Sequence, residues 1–161
     1  MKKIFKENRG FAGVDISISM IIILIFIPTI FGITYNIQKT NADIKKKTTA
    51  VEIATNVLEI IKSEQYINIT TTGNKLTNDI SSKYDKSEYK NSEKEEQGYT
   101  YSYYSTIGEK GEHYQIQLGI KNYYPSEDEN EDFIKQVKVR VLYSSGNKIQ
   151  DIDIGMIVQN M

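Results

Sequence analysis

In "ENRGFAGVDISISMIIILIFIPTIFGITYNIQ", residues 7–38, a charged flank is followed by a long apolar run. From Ile16 to Gln38 no residue is charged, and thirteen positions are Ile, Leu or Phe. As a helix this run spans roughly 35 Å at about 1.5 Å per residue, which is enough to cross a bilayer. The run therefore predicts a transmembrane helix.

The flank before the run predicts its orientation. It contains Lys2, Lys3, Lys6 and Arg9, opposed only by Glu7. Because basic flanks tend to stay in the cytoplasm, we expect a single-pass protein of the cytoplasmic membrane, with its N-terminus inside and its C-terminal domain outside. A secreted protein cleaved near Asp43, in "TNAD" (40–43), is the alternative, although its apolar region would be longer than that of a conventional signal peptide.

An acid lies at the entry of the apolar run, in "RGFAGVD" (9–15). This pattern resembles the type IV pilin family, including the pseudopilins of secretion and competence systems. In that family a short basic leader ends in Gly, and Phe, small apolar positions, an acid and a hydrophobic helix follow. The family usually has Glu where this chain has Asp15, and Thr-Leu where it has Ala12 and Gly13. Tight-adherence (Tad) pilus proteins share a similar pattern.

The resemblance implies processing and assembly. A prepilin peptidase would cut between Gly10 and Phe11 and methylate the new amine of Phe11. Asp15 would then meet the N-terminal amine of a neighbouring subunit, since pairing the two charges offsets the cost of burying either alone. The alternative is that Asp15 is an ordinary interfacial residue at the start of a plain membrane anchor. Pro28 and Gly32 interrupt the apolar pattern, and proline favours a kink because it removes a helix hydrogen bond.

The function implied by the resemblance is structural. The chain would be a subunit of a type IV pilus-like filament (a fimbrium at the cell surface), or of a pseudopilus for type II secretion or competence. Its partners would be other pilin or pseudopilin subunits in a homo- or hetero-polymer, the prepilin peptidase, a membrane assembly platform with its ATPase, and membrane lipid. The alternative is an unprocessed single-pass membrane protein whose exported sheet binds a ligand or partner.

The composition restricts other functions. The 161 residues contain 20 Lys and Arg against 21 Asp and Glu, so the charge balance predicts no nucleic-acid binding. There is no cysteine and one histidine, His113, which rules out thiolate chemistry and histidine clusters within one chain. We therefore predict no enzyme activity and no cofactor.

The remaining sequence predicts an α+β fold, with the long N-terminal helix packed on a small antiparallel β-sheet. The segments are a cytoplasmic leader (1–10), a transmembrane and assembly helix (11–38), an amphipathic helix (39–63) and an exported β-rich head (64–161) with a variable loop (74–98). The predicted apolar stripe of the amphipathic helix comprises Ile44, Val51, Ala54, Val57, Leu58, Ile60 and Ile61. The segments 99–106, 112–120, 133–144 and 148–158 alternate or are β-branched, and predict the strands of a meander.

Two features of the head suggest binding without requiring it. Asp128, Asn130 and Asp132 alternate as in calcium loops, but the glycine and distal glutamate of an EF-hand are absent, so a solvated acidic turn is favoured over a metal site. Tyr99, Tyr101 and Tyr103 share one strand face, which predicts either cross-strand packing or a partner surface.

Overall fold

The computed structural model describes residues 4–66, 69, 74–88, 95–123 and 134–159. It divides into two compact units, Met1–Asp43 and Ile44–Met161. The elements are α1 (Ile4–Ser63), α2 (Asn74–Ser81), β1 (Asp85–Lys86), β2 (Thr100–Ile107), β3 (His113–Tyr123), β4 (Ile134–Ser145) and β5 (Lys148–Gln159). The α+β class is therefore confirmed, and four of the strands match the four that the alternation predicts.

The sheet is an antiparallel meander in the order β1-β2-β3-β4-β5. β4 and β5 pair without interruption from Ile134↔Gln159 to Ser145↔Lys148. Only two residues, Gly146 and Asn147, join them, and Gly146 has a φ of +59°. Tight hairpin turns need such a positive φ at their first position, which glycine supplies without steric cost.

The core of the second unit lies between α1 and one face of the sheet, here called the inner face. From α1 it includes Ala50, Ile53, Ala54, Val57, Leu58 and Ile61, and from the sheet Tyr104, Tyr114, Ile116, Leu118, Val139 and Val141. The alternation of β4 is confirmed, because Val137, Val139 and Val141 are buried whereas Lys138 and Arg140 lie on the opposite, outer face.

The predicted stripe of the amphipathic helix is partly wrong. Ile44 and Val51 are 56% and 37% exposed, whereas Ala50 and Ile53 are buried. The helix turns a slightly different face to the sheet, and the small side chains of Ala50 and Ala54 are fully buried in this contact. The larger side chains of Ile44 and Val51 lie outside the contact between α1 and the sheet.

The segment 74–98 contains more regular structure than a variable loop. Leu76 and Ile80 of the short helix α2, together with Tyr84, are buried in the core. β1 was not predicted from the sequence. It has only two residues, and its Asp85 and Lys86 pair with Ser105 and Tyr104 of β2. Such a short polar strand leaves no alternating pattern to detect.

Candidate functional site

The first unit exposes an apolar surface on every side of its helix. The large apolar side chains between Val14 and Ile37 are all exposed, from 49% at Ile27 to 71% at Phe31. A helix that is hydrophobic all round belongs in lipid or in contact with other helices, because water disfavours a patch of this size. The structure thus contains one helix near the N-terminus that is long and apolar enough to cross a membrane.

The hydroxyl groups in this segment have partners within the helix. Ser17 donates to the carbonyl oxygen of Gly13 at 2.9 Å, Thr29 to that of Ile25 at 2.8 Å, and Thr34 to that of Ile30 at 2.9 Å. In hydrocarbon an unpaired hydroxyl is costly, so these bonds lower the cost of insertion. The helix is assigned without interruption through Pro28 and Gly32, and a kink there stays a prediction.

The predicted processing residues lie at the start of α1. The backbone of Gly10 and Phe11 is helical, and the side chains of residues 4–12 lie outside the described part of the chain. Asp15 is exposed on the same helix. Along the backbone, Phe11 and Asp15 are four residues apart, which is about one turn of this helix. Cleavage, methylation and the assembly role of Asp15 stay predictions.

The outer face of the sheet carries the predicted tyrosines. The rings of Tyr99 and Tyr101 are stacked with centroids 5.9 Å apart, and those of Tyr101 and Tyr103 are 6.5 Å apart. Tyr99 also donates a hydrogen bond to Gln136 Oε1 on β4 at 3.2 Å, so it spans β3. On the inner face Tyr114 and Tyr143 are direct strand partners with ring centroids 6.4 Å apart. Cross-strand tyrosine packing is thus present on the inner face, whereas the outer-face tyrosines stack along one strand, and a partner surface there stays a prediction.

Gly119 makes the tyrosine arrangement possible. A Cβ atom at this position would lie 2.6 Å from Tyr101 Cε1 and 3.2 Å from Tyr99 Cδ1. Because glycine has no Cβ, the two rings can rest on the backbone of β3. Aromatic side chains that cover a strand glycine help to fix register in sheets.

A charge network adjoins the tyrosines on the outer face. Arg140 Nε and Nη2 donate to Asp153 Oδ1 and Oδ2 at 2.6 and 2.7 Å, and Lys138 bonds to Glu96. Burial alone would raise the pKa of the Asp153 carboxyl, but the hydrogen bonds and charge of Arg140 outweigh burial and lower the pKa. The hydrogen bond to Glu96 raises the pKa of Lys138. Opposite charges are matched within the network, which favours a packing role.

The weak metal candidates Asp128, Asn130 and Asp132 lie outside the described residues. Within the described ranges, no group of three or more His, Cys, Asp or Glu side chains is arranged to hold a metal ion. No family model matches this chain, and neither a curated protein nor a solved structure matches it. The candidate site is therefore the apolar helix with the motif at its start.

Proposed function

We propose that this chain is a structural subunit of a type IV pilus-like filament or of a secretion or competence pseudopilus. The observation that carries the proposal is the exposed apolar surface around residues 16–37, directly after "GFAGVD" (10–15). A bilayer covers such a surface before assembly, and the same surface packs against neighbouring helices in a filament. The activity is mechanical, with no catalytic step.

The proposal includes an orientation and a processing step. The basic flank keeps the N-terminus in the cytoplasm, and the second unit is outside. A prepilin peptidase removes residues 1–10 and methylates Phe11. Other pilin-like subunits, an assembly platform and its ATPase then draw the helix into the polymer.

The first test measures the mature N-terminus. We would determine intact mass and N-terminal sequence of the protein from membranes of a host with and without a prepilin peptidase. The proposal expects a methylated chain that starts at Phe11 only when the peptidase is present. Gly10→Val should block cleavage because the side chain crowds the scissile bond, whereas the matched variant Gly13→Val should be cut.

Two results would contradict this proposal. An uncut chain in the presence of the peptidase favours the unprocessed single-pass protein, and the tyrosines of the outer face become the first surface to test for a ligand or partner. A chain that starts near Asp43 indicates a secreted protein.

The second test concerns assembly through Asp15. Removing one partner of a buried ion pair costs about 3–5 kcal/mol. Asp15→Asn, which keeps the shape and removes the charge, should therefore insert normally but lose filaments in a shearing assay by tenfold or more. Asp15→Glu, which keeps the charge, should retain assembly. Equal filament yields from Asp15→Asn and the parent chain would exclude the assembly role.

A further inference from the structure

The second unit begins at Ile44 of α1, and two hairpin turns lie at the same end of this unit. Together these parts form what we call the lysine end. It consists of residues 44–47 of α1, the β2–β3 turn (108–112) and the β4–β5 turn with Lys148 (146–148). Lys45 Nζ lies 3.7 Å from Glu109 Oε2, and Lys46 Nζ donates to the carbonyl oxygen of Ser144 at 3.1 Å. These contacts place both turns beside residues 45 and 46 of α1.

The lysine end is basic. It contains Lys45, Lys46, Lys47, Lys110 and Lys148 together with Glu109 and Glu112, and four of the five lysines are exposed while Lys46 is half-buried. Five lysines and two glutamates leave an excess of three positive charges on a chain whose net charge is −1. By sequence, the segment 124–133 that joins β3 to β4 carries five acidic residues and no basic residue. The charge of the second unit is thus unevenly distributed.

Large apolar side chains are exposed beside these lysines. Ile107 precedes the first turn and is 61% exposed, Ile149 follows the second turn and is 73% exposed, and Ile44 is 56% exposed. These three isoleucines lie outside the hydrophobic core. Exposed aliphatic groups interspersed with lysines are typical of surfaces that rest on a membrane interface.

In the sequence, the lysine end follows shortly after the apolar run. Gln38 ends the uncharged run and Ile44 begins the second unit, six residues later. Along a helix this separation is about 9 Å. The headgroup region of a bilayer extends about 5–7 Å beyond the hydrocarbon, and charges interact over a Debye length of about 8 Å at physiological salt. Lysines at residues 45–47 are therefore within reach of headgroup phosphates.

We propose that the lysine end docks on anionic phospholipid headgroups of the bilayer that holds this chain's own apolar helix. The lysines bind the phosphates and the three isoleucines enter the interface, so an anionic membrane holds the second unit before assembly. This inference rests on the proposed function only for the membrane anchor. It requires neither cleavage at Gly10 nor polymerisation.

The chain has no cysteine, so a single Asn147→Cys variant can carry a donor fluorophore in the β4–β5 turn. The labelled full chain is placed in nanodiscs that contain acceptor-labelled lipid and either phosphatidylcholine alone or phosphatidylcholine with phosphatidylglycerol. We expect higher energy transfer in the anionic discs, and loss of the difference at about 1 M salt, where the Debye length is about 3 Å. Size exclusion and circular dichroism confirm insertion and folding of each sample.

The variant Lys110→Glu/Lys148→Glu tests the lysine end directly. A lysine near an anionic surface shifts the ratio of docked to undocked units by roughly fivefold, so this pair should lower the ratio more than tenfold. The control Lys62→Glu/Lys121→Glu makes the same change in net charge away from the lysine end and should have little effect. Equal transfer in neutral and anionic discs, or equal loss in both variants, overturns the inference. Cleavage after Gly10 is measured in a separate experiment, so an uncut chain would not change the interpretation of the energy-transfer result.

Discussion

At the scale of single residues, Gly119 is the position where one added carbon should matter most. Gly119→Ala places a Cβ against the ring of Tyr101 at 2.6 Å, and overpacking of this kind costs about 1–3 kcal/mol. We expect the free energy of unfolding of the second unit to fall by that amount, measured by near-ultraviolet circular dichroism in detergent. Gly155→Ala is the matched control, since its Cβ would meet only the carbonyl oxygen of Val137 at 3.3 Å. Equal losses from both variants would exclude the ring contact as the cause.

A second residue-scale prediction concerns acid sensitivity. The pKa of Asp153 is lowered in the folded protein, so the unfolded chain binds its proton first as the pH falls. The stabilisation by this carboxylate is present above pH 4 and is lost as the pH falls through about 4 toward the lowered value. Because Asp153 is partly exposed, we expect a contribution of no more than about 1 kcal/mol. Asp153→Asn should be less stable at pH 7 and should lose less stability between pH 5 and pH 3, measured by urea unfolding.

The pairing of Arg140 with Asp153 could be predicted from the sequence. A two-residue turn at Gly146 and Asn147 fixes the register of β4 and β5, and counting outward from Ser145↔Lys148 pairs Arg140 with Asp153. The position of the Tyr99 ring was not predictable in this way. It lies across β3 to reach Gln136, and the strand alternation that identifies its face does not determine the direction of the side chain along that face.

Among the secondary-structure elements, α1 has a hydrophobic pattern that predicts where the helix ends but not which of its side chains are buried. The pattern predicts that an amphipathic helix ends near residue 63, and the structure confirms an end at Ser63. It does not predict which edge of the stripe is buried, because the small side chains of Ala50 and Ala54 give a weak hydrophobic signal although both are fully buried.

Which face of α1 packs on the sheet can be tested with two side-chain truncations on this helix. Ile61 is fully buried, whereas Ile44 is 56% exposed. Ile61→Ala should cost about 2–4 kcal/mol of unfolding free energy, since it removes transfer energy and leaves a cavity, while Ile44→Ala should cost less than about 0.5 kcal/mol. Chemical denaturation of both variants in detergent provides the measurement. If Ile44→Ala lowered the unfolding free energy more than Ile61→Ala, the apolar stripe predicted from the sequence would be correct at Ile44.

At the scale of the whole molecule, the sequence predicted an apolar helix followed by a sheet-based head, and the structure has its unit boundary at Asp43 and Ile44. Composition explains this success, because a run without charge and a set of alternating strands are strong signals. The sequence does not predict what covers the apolar helix in the assembled state. The apolar surface of residues 14–37 can be covered by lipid or by other helices, and the sequence of one chain does not distinguish the two coverings.

The division into units leads to a final prediction. Every described residue of the hydrophobic core lies between Ala50 and Tyr143, so among the described residues this core is formed by the second unit. A fragment of residues 44–161 should therefore be water-soluble, show the near-ultraviolet circular dichroism of the full chain, and unfold with a free energy within about 1 kcal/mol of it, since core burial provides most of the stability. A soluble fragment with no cooperative transition would show that the apolar segment contributes to folding. A cooperative fragment would show that the second unit folds without residues 1–43.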